Sequence, residues 1–169
     1  MKNRIIAFVA LVICLGLQSC EKKPNPSDFS QVCFTKIDGS PDGGSCAGNW
    51  TFDVDFTKWE SDLFTVNSAA TTKNNASKQV LLYPNANNGI FNFQFDMDTD
   101  YTIDIVIINQ QLQKIKQLQL STLLTFGIGQ VDISNNVSNG DFLRYYYVAT
   151  AKNNSSIVHR GFGNIAIKK

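Results

Sequence analysis

The sequence predicts an all-β sandwich, on three observations. Apolar and polar residues alternate with period two along several short runs, and Asn-, Gly- and Pro-containing turn signals separate those runs. The 169 residues, 43% of them hydrophobic and 17% charged, are enough for one domain with a buried core. In chain order, Trp50, Phe52, Val54 and Phe56 alternate with Thr51, Asp53, Asp55 and Thr57, which predicts a strand with one buried face. Residues 78–83 form a shorter run. Phe91, Phe93 and Phe95 alternate with Asn92, Gln94 and Asp96 in the same way. Tyr101, Ile103, Ile105 and Ile107 make a third apolar face, and the added Val106 and Ile108 predict a strand buried on both sides. Residues 112–124 are rich in the helix formers Leu, Gln and Lys, but a strand paired back on 103–108 fits the meander better. Runs at 129–134, 142–151 and 156–168 complete the set. Pro84-Asn85, Asn88-Gly89, Asn109-Gln110, Asn135-Asn136, Asn139-Gly140 and Asn153-Asn154 mark the turns between runs.

The N-terminus reads differently from the rest. Lys2 and Arg4 precede an apolar run over 5–17, which Gln18, Ser19 and Cys20 end well short of the roughly 20 residues a membrane-spanning helix needs. This is the layout of a secretory signal peptide over 1–19. The ending Leu17-Gln18-Ser19-Cys20 resembles a bacterial lipobox, which implies cleavage before Cys20 and acylation of its thiol and new amino group. One acyl chain binds a membrane marginally, whereas two or three hold it stably. Residues 20–32, with Pro24 and Pro26, are expected to be a flexible tether and 33–169 the sandwich domain. There are 15 basic and 14 acidic side chains, and loss of Lys2 and Arg4 with the leader leaves the two in near balance. Steering towards nucleic acid is therefore not expected.

Cys14 leaves with the leader and Cys20 is committed to lipid, leaving Cys33 and Cys46 around a turn-rich loop. An oxidising compartment permits a disulfide there, worth about 3 kcal/mol for a loop of this length in the chain-entropy model. Two free thiols are the alternative, and a metal site would need further ligands that are not nearby.

Tyr83-Pro84-Asn85, followed by Gly89-Ile90-Phe91, resembles the opening of the C-terminal sorting domains of the type IX secretion system. The strand from Tyr101, the segment Val131-Asp132-Ile133-Ser134, the turn Ser138-Asn139-Gly140-Asp141-Phe142 and a C-terminus closing on two lysines continue the likeness over 79–169. The resemblance implies a small Ig-like antiparallel sandwich, an origin of the Bacteroidota type, and either export cargo or a sorting-related domain. The motif residues are Tyr83, Pro84, Asn85, Gly89, Phe91 and Gly140.

Asp96, Asp98 and Asp100 recur at every second residue, as hard oxygen ligands for a weak calcium site would, or as a solvated hairpin tip whose like charges resist edge pairing. Tyr145, Tyr146 and Tyr147 share one run, so they cannot all face the same side. An exposed one, or Trp59, would suit stacking on a glycan or docking to a partner, while high β-propensity explains the tyrosines equally well. His159 lies in an apolar run and reads as structural. With one His and two Glu, Glu21 and Glu60, the chain has little material for acid–base catalysis and no expected cofactor. The expectation is a non-catalytic binding or assembly module, held at the outer membrane by its lipid and partnered by another envelope protein or a glycan.

Overall fold

The computed structural model of the chain describes residues 22–42, 50–52, 54–65, 79–96, 100–121, 126–153 and 158–169. Its elements are a 3-10 turn (Pro26–Ser30), β1 (Trp50–Phe52), a short helix α1 (Lys58–Ser61), β2 (Gln79–Tyr83), β3 (Ile90–Asp96), β4 (Tyr101–Asn109), β5 (Lys114–Ser121), β6 (Phe126–Asp132), β7 (Phe142–Ala151) and β8 (Val158–Ala166). A second 3-10 turn spans Ser134–Asn136. The strands form two antiparallel sheets, ordered β1-β8-β7-β4-β5 and β2-β3-β6. The all-β sandwich expected from the alternation is the observed architecture.

The small sheet presents one apolar face because its register aligns matching phases. Val80 lies opposite Phe95 and Leu82 opposite Phe93, so both strands turn their apolar positions the same way. These side chains meet Ile103, Ile105, Ile107, Leu143, Tyr145, Tyr147 and Ile165 of the large sheet in the main core. Phe93 packs edge-on against Tyr145 at 5.2 Å, and the Tyr145 hydroxyl donates to the Val80 carbonyl at 2.8 Å, so this one residue both packs and bonds across the sandwich. Complete burial pushes the Tyr145 hydroxyl far above its ordinary pKa and keeps it a donor.

The tyrosines at 145 and 147 fit because β8 is cut away beneath them. Tyr145 pairs with Gly163 and Tyr147 with Gly161. A Cβ at Gly161 would stand 2.6 Å from the Tyr147 ring and 2.3 Å from the Thr51 carbonyl oxygen; at Gly163 it would stand 2.6 Å from the Tyr145 ring and 2.7 Å from Trp50. The two glycines thus supply the room that the aromatic rings fill.

On β5 the pairing with β4 shifts between Ile107 and Ile108, opposite Lys116 and Lys114. The bulge leaves Ile115 as an extra residue, and Ile115, Leu118 and Leu120 all pack against the main core. The segment that read as helix or strand is therefore a strand. The Trp50–Phe56 alternation is divided between two cores. Trp50 and Phe52 pack on the main core, β1 ends at Phe52, and Phe56 reaches the far side of the large sheet.

That far side is a second core. Val106, Ile108, Tyr146, Val148 and Val158 face away from the small sheet and are covered by Phe29, Leu63 and Phe64, with Phe56, Trp59, Leu112, Phe142 and Phe162 around them. Helix α1 is held in place by a capping box, in which the Thr57 hydroxyl accepts from the Glu60 N–H and Glu60 accepts the Thr57 N–H at 2.8 Å. Among the described residues, no helix is long and apolar enough to cross a membrane.

Replacing Gly161 by Ala is expected to cost about 1–3 kcal/mol through overpacking against Tyr147 and Thr51. Urea denaturation monitored by tyrosine and tryptophan fluorescence reads this directly. An unchanged midpoint would show that the rings do not need the space.

Candidate functional site at one end of the sandwich

The sequence motifs gather where the 84–89 loop, the turn after Asn109, the 133–141 loop, the C-terminus and the 33–42 hairpin lie together. Asn85 is the joint. It is 1% exposed, its Nδ2 donates to the Asn164 carbonyl at 2.8 Å, and its Oδ1 accepts the Ala166 N–H at 2.9 Å. A side-chain amide thereby pairs with the end of β8 as a neighbouring strand would. The Asn85 backbone does the same towards the hairpin: its N–H donates to the Thr35 hydroxyl at 2.9 Å and to the Thr35 carbonyl at 3.2 Å, and its carbonyl accepts the Thr35 N–H. Three chain segments, the 84–89 loop, the end of β8 and the hairpin, meet at one residue.

Asn87 extends the joint. Its N–H donates to the Ala166 carbonyl and its carbonyl accepts the Lys168 N–H, while its Oδ1 accepts the Gly89 N–H at 2.8 Å. Gly89 has φ +98°, and a Cβ there would lie 2.7 Å from the Ser134 Cα, so both conformation and space require glycine. Gly140 donates its N–H to the Ile167 carbonyl, and Lys169 Nζ donates to the Ser134 and Val137 carbonyls. Tyr83 is buried beneath the hairpin turn at Gly39, and Phe91 lies in the main core. Tyr83, Pro84, Asn85, Gly89, Phe91 and Gly140 therefore contribute to closing one end of the fold.

The expected tether is the first correction. Lys22 to Asn25 have no regular structure, but Pro26–Ser30 forms a 3-10 turn whose Phe29 is fully buried against the outer face of the large sheet. Asn25 caps the turn by accepting the Ser27 N–H, with Pro26 in the position where proline fits a helical start. Asn164 Nδ2 donates to the Asp28 and Gln31 carbonyls at 2.9 and 2.8 Å. Burying one Phe is worth about 2–3 kcal/mol, and the bonded carbonyls add to what holds the segment against the sheet. The Asn-Pro start and the single Phe in a polar stretch were the available signals.

Arg144 completes this contact. It is 6% exposed and lies between the Phe29 ring at 4.5 Å and the Phe162 ring at 4.4 Å, and its Nε donates to Asn164 Oδ1 at 2.8 Å. A buried cation is tolerated here because two aromatic faces and an amide oxygen replace part of its water. Arg160 sits over Phe56 at 5.9 Å, where burial lowers its pKa and Asp55 opposes the shift. Alternation alone did not reveal arginines at these positions.

The tyrosine expectation is the second correction. Tyr145 and Tyr147 face the main core and Tyr146 faces the opposite side, as alternation requires, but all three are fully buried. Tyr146 is covered by Phe56 at 5.6 Å and Phe162 at 5.8 Å, so it cannot serve as a surface platform. Its hydroxyl is held above its ordinary pKa chiefly by burial, with Glu60 adding to the shift and Arg144 opposing it. Trp59 is half-buried at the rim of the same cluster, and His159 is buried against Tyr101 at 5.7 Å. Of the calcium candidates, Asp98 and the side chain of Asp96 lie outside the described residues; Asp100 is half-buried. Among the described residues, no group of three or more His, Cys, Asp or Glu is placed to hold a metal. Cys33 is buried at the base of the hairpin, and Cys20 and Cys46 lie outside the described residues.

No protein-family model matches the chain, and no curated protein matches it significantly.

The Asn85 joint makes a pH-dependent prediction. Asn85→Leu leaves a buried N–H and a carbonyl unpaired and is expected to cost about 2–4 kcal/mol. Asn85→Asp places a buried carboxylate against the Asn164 carbonyl, which raises its folded-state pKa above the unfolded value. The folded variant then binds more protons than its unfolded chain, so its deficit relative to wild type shrinks as pH falls through that raised value. Denaturation midpoints from pH 7 down to pH 4 test this, and a deficit independent of pH would contradict the geometry.

Proposed function

We propose that the chain is a non-catalytic lipoprotein of the cell envelope, a rigid binding or assembly module held at the outer membrane through lipid on Cys20. The observation that carries this reading is the docked segment at Pro26–Ser30, which brings the chain following the lipobox directly onto the domain. An anchored module benefits from such a junction, because a short link to a stiff body fixes where the body stands. Four buried side chains of the folded part also have architectural partners: Arg144 between two rings, Asn85 and Asn164 on backbone groups, and Tyr145 across the sandwich. The partner in this reading is another envelope protein, with a glycan as the alternative, and nucleic acid is not among the partners.

A second reading, a sorting-related domain of type IX secretion, is favoured by the gathering of Tyr83, Asn85, Gly89 and Gly140 around the C-terminal residues. Mass analysis of the exported protein separates the two readings. A processed N-terminus with an intact C-terminus supports the anchored module, and secretion-dependent C-terminal cleavage supports sorting. A Cys33–Cys46 disulfide belongs to the same proposal, supported by the burial of Cys33 and by the oxidising compartment that the leader implies.

Cys20→Ser is expected to abolish membrane fractionation of the processed chain or to leave it unprocessed; a processed variant still bound to membranes would refute lipid anchorage. Intact mass with and without reductant is expected to differ by the two hydrogens of one disulfide, and two alkylatable thiols in the unreduced protein would refute the bridge.

A further inference from the structure

Three large apolar side chains are exposed among the described residues: Ile37 at 82%, Phe34 at 49% and Ile90 at 37%. All three belong to the end of the sandwich where the N-terminal segment docks. Ile90 follows Gly89 and pairs with Asp132, the last residue of β6. Phe34 and Ile37 lie on the hairpin that Thr35 joins to Asn85. The docked turn reaches this end through Asn164 and through Gln110, whose Nε2 donates to the Pro26 carbonyl at 3.4 Å.

Ile37 stands on a built turn. The Lys36 N–H donates to the Ser40 carbonyl at 2.9 Å, the Gly39 N–H to the Lys36 carbonyl at 3.0 Å, and the Asp42 N–H to the Phe34 carbonyl at 2.8 Å. Asp38 Oδ1 accepts the Ser40 hydroxyl at 2.7 Å and the Ser40 N–H at 2.9 Å, and these bonds hold the carboxylate below its ordinary pKa. A turn tied this way presents Ile37 outward.

We propose that this end lies against the lipid surface, with Ile37 and Phe34 seated at the membrane interface. The inference rests on lipid attachment at Cys20 and adds an orientation to it. The chain outside the fold identifies the occupant: from Cys20 to Pro26 a fully extended link reaches at most about 20 Å. A lipid on Cys20 therefore keeps this end near the bilayer, and the exposed apolar side chains are on the end so held. Over 22–42, Lys22, Lys23 and Lys36 balance Asp28, Asp38 and Asp42, so contact is apolar and insensitive to salt.

The test uses the full-length lipidated protein in phosphatidylethanolamine vesicles with brominated acyl chains. Ile37→Trp and, at the far end of the sandwich, Lys152→Trp each add one fluorophore to the existing Trp50 and Trp59. Added emission at position 37 is expected to be quenched at least threefold more than at position 152, unchanged between 50 mM and 500 mM salt. A second measurement needs no substitution: backbone hydrogen exchange over 36–39 slows on vesicles relative to detergent micelles. Equal quenching at both positions, with the protein pelleting with the vesicles, overturns the orientation and leaves the anchor standing. A chain that does not pellet with the vesicles overturns the anchor and the orientation together.

Discussion

The five-stranded sheet is apolar on both faces, and the rest of the molecule answers to that constraint. Ile103, Ile105 and Ile107 point one way from β4, and Val106 and Ile108 the other; on β7, Tyr145 and Tyr147 oppose Tyr146 and Val148. A sheet of this kind must be covered twice. The small sheet covers one face with a row of phenylalanines. The other is covered by N-terminal residues, Phe29 from the 3-10 turn and Phe56, Leu63 and Phe64 from around α1. Residues 26–30 are therefore part of the fold, and Arg144 is buried because the cover closes over it.

The two covers are joined at one end of the sandwich. Asn85 holds the 84–89 loop to β8, and Asn164 on β8 holds the N-terminal turn through the Asp28 and Gln31 carbonyls. One amide thus acts on the small-sheet side and the other on the outer side, and they are linked by the Asn85 bond to the Asn164 carbonyl. Because these polar groups are buried and paired, the end is stiff where the chain enters it. In the proposed function, stiffness there would turn a lipid anchor into a defined position for the domain.

Much of the fold was legible because period-two alternation reports burial directly. Phe91, Phe93 and Phe95, and Ile103, Ile105 and Ile107, face the main core as their spacing requires, and the additional Val106 and Ile108 correctly marked a strand buried twice. What covers the second face was not legible, since Phe29 and Phe64 come from short irregular segments with no periodicity to read. The burial of Tyr146 was missed for the same reason: alternation gives the side of a sheet and not what lies above it. Asn85 was conspicuous as part of a motif, but its pairing with Ala166 spans 81 residues and depends on tertiary placement. Arg144 and Asn164, polar residues in apolar strands, gave no sign that their partners would be an aromatic pair and two N-terminal carbonyls.

The central claim is that residues 26–32 are structural cover for the large sheet and do not serve as tether. Its most direct test is chemical denaturation of two shortened chains, one beginning at residue 24 and one at residue 33. The account predicts that the longer chain keeps the stability of the domain, while the shorter one, stripped of Phe29 and of both partners of Asn164 Nδ2, loses about 3 kcal/mol or more. Equal denaturation midpoints for the two chains would contradict it.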